Sequence, residues 1–436
     1  MNSTAADLTL RIRARFGRYT QHDPLVPVWD LTPTMRGCFH RFFDTTPISP
    51  SGRYVAVLRM PDEQRLNRAG EPADVVLIDL EAGVLKVVAQ THGWEPQMGA
   101  NINWGADDHS LIFNDVDTQA WTPQLVRLDP LTGKSDKTAG GVYHVSPDGR
   151  FAAAASMDRM RRTQYGYGVL IPDDRVPLNI GAPDDDGLFI TDLTTGRRRL
   201  VLSLSQAVKS IPELAGQRLE DWQIYGFHSK WSPDGSRLIF TIRRFRRDNL
   251  AAREWDNIGG RDSAGREVLR FDVLTCRPDG SDVHNAVPAE YWSKGGHHIN
   301  WYPDSRQLSM NLGYYGDGLR LVRVGYDGSD IRPIFTDVRG SGHPSVHPCG
   351  RILTDSYTGE AGIAFGDGSV PLRWIDMQTG QERRLVRMHS RVEPGGTGAM
   401  RVDAHPAWDR SWRWVTFNGV QDNTRHVYLA DMAGLL

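Results

Sequence analysis

Four histidines stand at one repeated place in this chain. The segments 227–235 (Phe227-His228-Ser229-Lys230-Trp231-Ser232-Pro233-Asp234-Gly235) and 296–304 (Gly296-His297-His298-Ile299-Asn300-Trp301-Tyr302-Pro303-Asp304) are near copies. Looser copies surround His343 (342–348) and His405 (404–410). His228, His298 and His343 each precede a turn proline by five residues, and His405 precedes Arg410, which fills the proline place, by the same distance. A neutral imidazole is a base near pH 7 and a ligand for divalent metals. Two arginine-rich stretches accompany them: Arg159, Arg161 and Arg162 before Gln164-Tyr165-Gly166-Tyr167, and Arg243, Arg244, Arg246 and Arg247. Guanidinium groups suit bidentate capture of carboxylates. The bland alternatives are histidines that cap strands and arginines on a solvated face. Taken together, the two sets point to acid–base chemistry on an anionic substrate.

Such residues need a scaffold that brings distant segments to one level. The turn signal Ser-Pro-Asp-Gly, clear or eroded, recurs with its second residue at positions 50, 106, 147, 233, 303, 348 and 410. Proline pre-sets φ, and Asp and Gly accommodate the tight turn. A β-rich run follows each turn, as in 53–58, 238–241 and 414–417, and a further run often closes on Asp, as in 76–79, 189–192 and 427–431. Seven such repeats with no dominant helical pattern predict an all-β, single-domain, seven-bladed β-propeller. Residues 1–37 form an N-terminal segment and 38–436 the propeller. The last repeat ends after its third strand, so the run Leu25 to Leu31, with Pro27 near its start, is expected to close the ring. Five residues before each turn stand Thr45, Asn101, Val142, His228, His298, His343 and His405. They are expected at the mouth of a central channel. The long connections, roughly Met157 to Gly187 and Arg243 to Glu267, should emerge on the same face. Asn300 and Tyr143 belong to the substrate-binding candidates there, with Arg41, Asn103, Tyr314 and Tyr315 as weaker ones.

Composition narrows the alternatives. A formal net charge of −2 creates no global field for nucleic acid or an anionic membrane. No apolar run approaches the roughly 18 residues needed to span a bilayer. The stretch from Met1 to Tyr19 carries Arg11, Arg13, Arg15 and Arg18 without an apolar core, so no secretory leader is expected. Cys38, Cys276 and Cys349 suggest neither a disulfide framework nor a zinc knuckle, and fit a reducing cytoplasm. There is no Gly-x-Ser-x-Gly elbow, P-loop or dinucleotide fingerprint.

The segments 296–304, 342–350 (Gly-His-Pro-Ser-Val-His-Pro-Cys-Gly) and 405–408 (His-Pro-Ala-Trp) resemble the oligogalacturonate lyases and related propeller polysaccharide lyases; the turn repeats are similar to those of TolB-type propellers. The resemblance implies His298 as base, with His228 the next candidate, and His343 and His405 as ligands of a divalent metal. The family's last segment has a His-x-His pair preceded by Gln; here Asp403 takes the first His place and Met400 the Gln place. An Asp403, His343 and His405 set suits manganese or a similar borderline metal. The implied reaction is β-elimination from a uronate in an acidic oligosaccharide: the base removes the C5 proton, a metal or arginine neutralises the carboxylate, and the C4 oxygen leaves protonated by a tyrosine or water. Arg243 and Tyr165 join the catalytic candidates, and Arg161, Arg162 and Arg244 the substrate-binding ones. Two other readings stay open: another uronide-active enzyme, such as a rhamnose–glucuronate lyase or an isomerase, and a propeller module without catalysis.

Overall fold

The computed structural model describes residues 11–246, 269–393 and 398–436. Arg247 and the rest of the connection to Glu267 lie outside the described residues. The repeats become antiparallel sheets because each run alternates around a tight turn. In the fourth repeat Ser232 Oγ meets Asp234 at 2.7 Å and accepts the Arg237 amide at 3.0 Å, while the Gly235 amide returns to the Ser232 carbonyl at 2.9 Å. Gly235 has φ +73°, a conformation that a residue with Cβ rarely adopts.

Five sheets have four strands each, hydrogen-bonded in sequence order. The first runs Cys38–Phe39, Tyr54–Arg59, Ala73–Asp79 and Val84–Thr91; the fourth Trp222–Trp231, Leu238–Arg246, Leu269–Cys276 and His284–Val287. The fifth runs Gly296–Trp301, Gln307–Leu312, Arg320–Gly325 and Arg332–Pro333. A sixth sheet has eight strands. Its half from Ser345–His347 to Glu382–His389 meets the half built on Trp414–Gln421 through the single pair His389↔Val420. At the far edge Val28–Asp30 pairs antiparallel with the last strand, Val28 opposite Ala430 and Asp30 opposite Tyr428. Within the expected run 25–31, then, three residues form the strand.

Among the described residues the helices are short; those at Met157–Met160, Leu204–Ala207 and Ala289–Trp292 have four residues each. None is long and apolar enough to cross a membrane. Apolar clusters between neighbouring sheets form the core; Phe240, Leu274 and Ile190 share one, Leu308 and Val273 the next. Multiple four-stranded antiparallel sheets stacked face to face are the arrangement of β-propellers. One expectation needs correction: Arg243, Arg244 and Arg246 are not in a connection. The apolar-rich run 238–246 continues as strand to Arg246, paired from Leu238 to Phe245 with one neighbour and at Arg246 with Trp222 of the other.

Candidate active site

The repeated histidine position is a backbone irregularity. The fourth sheet slips register between Gly226 and Ser229, and the fifth between His297 and Asn300. Each slip is a bulge that takes the histidine out of the ladder and re-aims it. His298 has φ +63° and His405 φ +48°, and Asn101, at the same repeat position, has φ +50°. For side chains with Cβ this costs about 1–3 kcal/mol each, which the surrounding structure must offset. The aim is common: the rings of His228, His298, His343 and His405 lie 5.8, 5.7, 5.3 and 4.7 Å from that of Phe42, which is fully buried among them.

Their partners set the tautomers. His298 Nδ1 is 2.6 Å from the Gly342 carbonyl, so it carries the proton and donates it. His297 Nδ1, 2.8 Å from the same nitrogen, is then an acceptor and also receives Asn311 Nδ2 at 3.2 Å. His298 Nε2 keeps its lone pair. Burial holds His298 well below the usual imidazole range, aided by His343 and His297. Burial does the same for His228, with Lys230 and Arg243 adding to it. Both rings are neutral at pH 7.

His228, His297, His298 and Arg243 line one cavity of about 370 Å³, with Phe227, Phe271, Trp292, Tyr167, Tyr357 and Arg401. Arg243 lies between two aromatic faces, 3.6 Å from the Phe227 centroid and 4.3 Å from that of Phe271. It donates to the Thr163 carbonyl at 3.3 Å, and among the described residues its Nε has no hydrogen-bond partner. Among the described residues no carboxylate pairs with it. Burial lowers it to about 9, so it stays cationic at neutral pH. Arg244 projects to the opposite face of the strand, as alternation requires, and pairs there with Glu213 at 2.8 Å and Asp272 at 3.3 Å.

His343, Asp403 and His405 offer ligand atoms that all lie within 4.8 Å of one another. His343 Nδ1 donates to Asp355 at 2.9 and 3.0 Å, which turns toward the group a buried Nε2 that has no hydrogen-bond partner among the described residues. A carboxylate behind an imidazole is the usual support of a metal-ligating histidine. Asp355 also accepts the amides of His343 and His405. Among the described residues neither buried ring nitrogen of His405 has a hydrogen-bond partner, and its Nε2 lies 3.7 Å from Asp403. Asp403 is held by Arg401 at 2.6 Å. The donor set therefore fits a divalent metal.

Other candidates from the sequence fall elsewhere. Asn300 lines a separate cavity of about 390 Å³ on the turn side, with Asn103, Trp104 and Trp301. Tyr143 packs beneath His228 and donates to Asp44 at 3.3 Å. Tyr165 lies under Arg161, 4.5 Å from its guanidinium, and Arg161 pairs with Glu95 at 3.4 Å. Arg162 donates to the Val176 carbonyl at 2.7 Å, and Tyr314 to the Ile331 carbonyl at 3.2 Å. Sequence reasoning missed Phe42, Tyr357, Asp355 and Arg401. It also missed the buried pair Lys230–Asp44, 2.9 Å apart, which with Arg41 anchors the Phe42-Phe43 segment under the rings. The only signal for Arg401 was its place two residues before Asp403; Phe42 and Tyr357 had none.

No protein-family model and no curated protein matches the chain. Solved structures do. An oligogalacturonate lyase in complex with manganese aligns with a TM-score of 0.61 at 15% identity, covering 95% of this chain and 96% of that one. An oligogalacturonate lyase from Vibrio parahaemolyticus aligns with a TM-score of 0.61 at 14% identity, with 96% of each chain covered. A prolyl endopeptidase aligns with a TM-score of 0.50 at 13% identity over 99% of this chain but 51% of that one. At these identities the likeness is one of fold: the chain is similar to the oligogalacturonate lyases in architecture along nearly its whole length.

Proposed function

We propose that the chain is a single seven-bladed propeller closed by Val28–Asp30, and that it cleaves uronate-containing oligosaccharides by β-elimination. The blade count is supported by five four-stranded sheets and an eight-stranded one that parts into two halves at a single residue pair. The functional reading is carried by one observation: Arg243, a buried cation without a carboxylate partner among the described residues, shares a cavity with the neutral imidazoles of His298 and His228. A cation so placed calls for an anionic ligand, and a uronate carboxylate answers it. Arg243 binds that carboxylate, and His298 Nε2 takes the C5 proton. Charge then grows on the carboxylate as the carbanion forms, so the Arg243 contact strengthens in the transition state. His343, Asp403 and His405 would hold a divalent metal, manganese among the candidates, whose Lewis acidity supplies further stabilisation of that charge. Phe227 and Phe271 hold Arg243 between their faces, and with Trp292 they keep water from the reacting carbon.

The test is a panel of acidic oligosaccharides added to the full-length protein with and without chelator. Elimination leaves a C4=C5 double bond conjugated with the carboxylate, read as new ultraviolet absorbance. The expected rise vanishes in His298→Ala; no rise on any uronide favours a binding module instead.

A further inference from the structure

We infer that Tyr357 protonates the leaving oxygen and that the elimination is syn, so the substrate is a uronate with H5 and O4 on the same ring face, as in D-gluco and D-manno sugars. This rests on the lyase reading above.

Tyr357 Oη lies 3.4 Å from His298 Nε2, and both residues line the same cavity. The His298 tautomer decides the direction of that contact. Its Nδ1–H is committed to the Gly342 carbonyl, so Nε2 is the acceptor and the Tyr357 hydroxyl is the donor. A base lone pair and an acidic proton thus sit side by side and face one space. Gly342 keeps this arrangement in place: it has φ +59°, and a Cβ there would meet the Asp355 carbonyl oxygen at 2.2 Å.

Separation of the two groups decides stereochemistry, as it does for the carboxylate pair of a glycosidase. In a galacturonide H5 and O4 project to opposite faces of the ring. Elimination there is anti, and its base and acid must stand on either side of the sugar. Groups 3.4 Å apart cannot do so. In a glucuronide or mannuronide H5 and O4 share a face, and an adjacent pair reaches both. Tyr167, the other phenol of the cavity, packs 5.2 Å from Phe227 on the His228 side.

The step balances. His298 Nε2 takes H5, and the C5–H electron pair becomes the C4=C5 bond. The C4–O4 bond breaks with its electrons on oxygen, and the Tyr357 proton makes that oxygen a neutral hydroxyl. Imidazolium and phenolate are left in contact, and one proton transfer from Nε2 to Oη restores both groups without solvent.

Two experiments test the inference on the full-length protein. The first compares 4-linked glucuronate and mannuronate oligomers with 4-linked galacturonate and guluronate oligomers by the absorbance assay. The cis pair should react at least about 100-fold faster in kcat/KM, the scale of a misplaced catalytic group. Equal or faster turnover of galacturonate or guluronate overturns the syn assignment and leaves the lyase reading standing; no turnover of any of the four overturns both. The second uses Tyr357→Phe, which should lose about 10²–10⁴ in rate on glycosides. On the same uronate carrying fluoride at C4, which departs without a proton, the variant should run near the unmodified rate. Equal slowing on both substrates would make Tyr357 structural and refute its role as acid.

Discussion

Arg243→Met should separate function from stability. In the folded protein this guanidinium has lost its water and gained two aromatic faces and one carbonyl. Each cation–π contact contributes about 0.5–2 kcal/mol and the carbonyl about 1 kcal/mol. The desolvation of an unpaired charge costs several kcal/mol, so these terms roughly cancel. Methionine keeps the contacts with Phe227 and Phe271 and removes the charge. The variant should therefore melt at the same temperature as the parent or a few degrees higher. Catalysis should respond differently. Losing one preorganised partner of the growing charge costs about 3–4 kcal/mol, or 10²–10³ in kcat/KM. The loss should shrink on uronate methyl esters, whose ester group enters the site neutral and carries only the charge that develops in the transition state. Calorimetric melts and absorbance kinetics on acid and ester substrates measure both halves. A variant that melts several degrees lower with unchanged kinetics would show that Arg243 serves the fold, and the site would have to be sought elsewhere.

Arg244→Ala should destabilise by about 3–5 kcal/mol in denaturant titration, because buried Asp272 loses its partner. Deleting residues 1–31 removes the pairing of Val28–Asp30 with the last strand, and should lower the melting temperature; coincident melts would count against closure. His343→Ala should weaken manganese binding by more than about 100-fold in titration calorimetry, whereas His298→Ala should leave it intact while removing turnover. Burial raises Glu95 to about 7 from the ordinary 4.5. The native state thus keeps a proton that the unfolded chain releases, and stability should fall as pH rises from about 4.5 to 7, by up to about 3 kcal/mol. Glu95→Gln should flatten that slope in melts at pH 5 and 8.

The turn spacing located the four imidazoles because each repeat counts the same number of residues from bulge to turn, a local distance that survives folding. The sheets were legible for the same reason. Asn300 was not. Two residues beyond His298 in a regular strand it would share that face, but the bulge between them changes the parity and turns it to the other cavity. Arg243 and Arg244 looked equivalent as neighbours in a charged run. Strand alternation divides them, one toward the histidines and one toward acids. Tyr165 was chosen for its closeness to arginines, and Arg161 does cover it; the phenol that reaches a histidine, Tyr357, follows a strand with no motif of its own. Phe42 becomes visible only when four segments from three sheets converge on it.

That convergence governs traffic. Phe42 is fully buried among the four imidazoles, and the Lys230–Asp44 pair holds its segment there, so the space between the rings is filled. On the lyase reading proposed above, an oligosaccharide would not pass between the four imidazoles: it would dock in the cavity of His298 and Arg243, react and withdraw by the way it came, and each cut would be a separate visit.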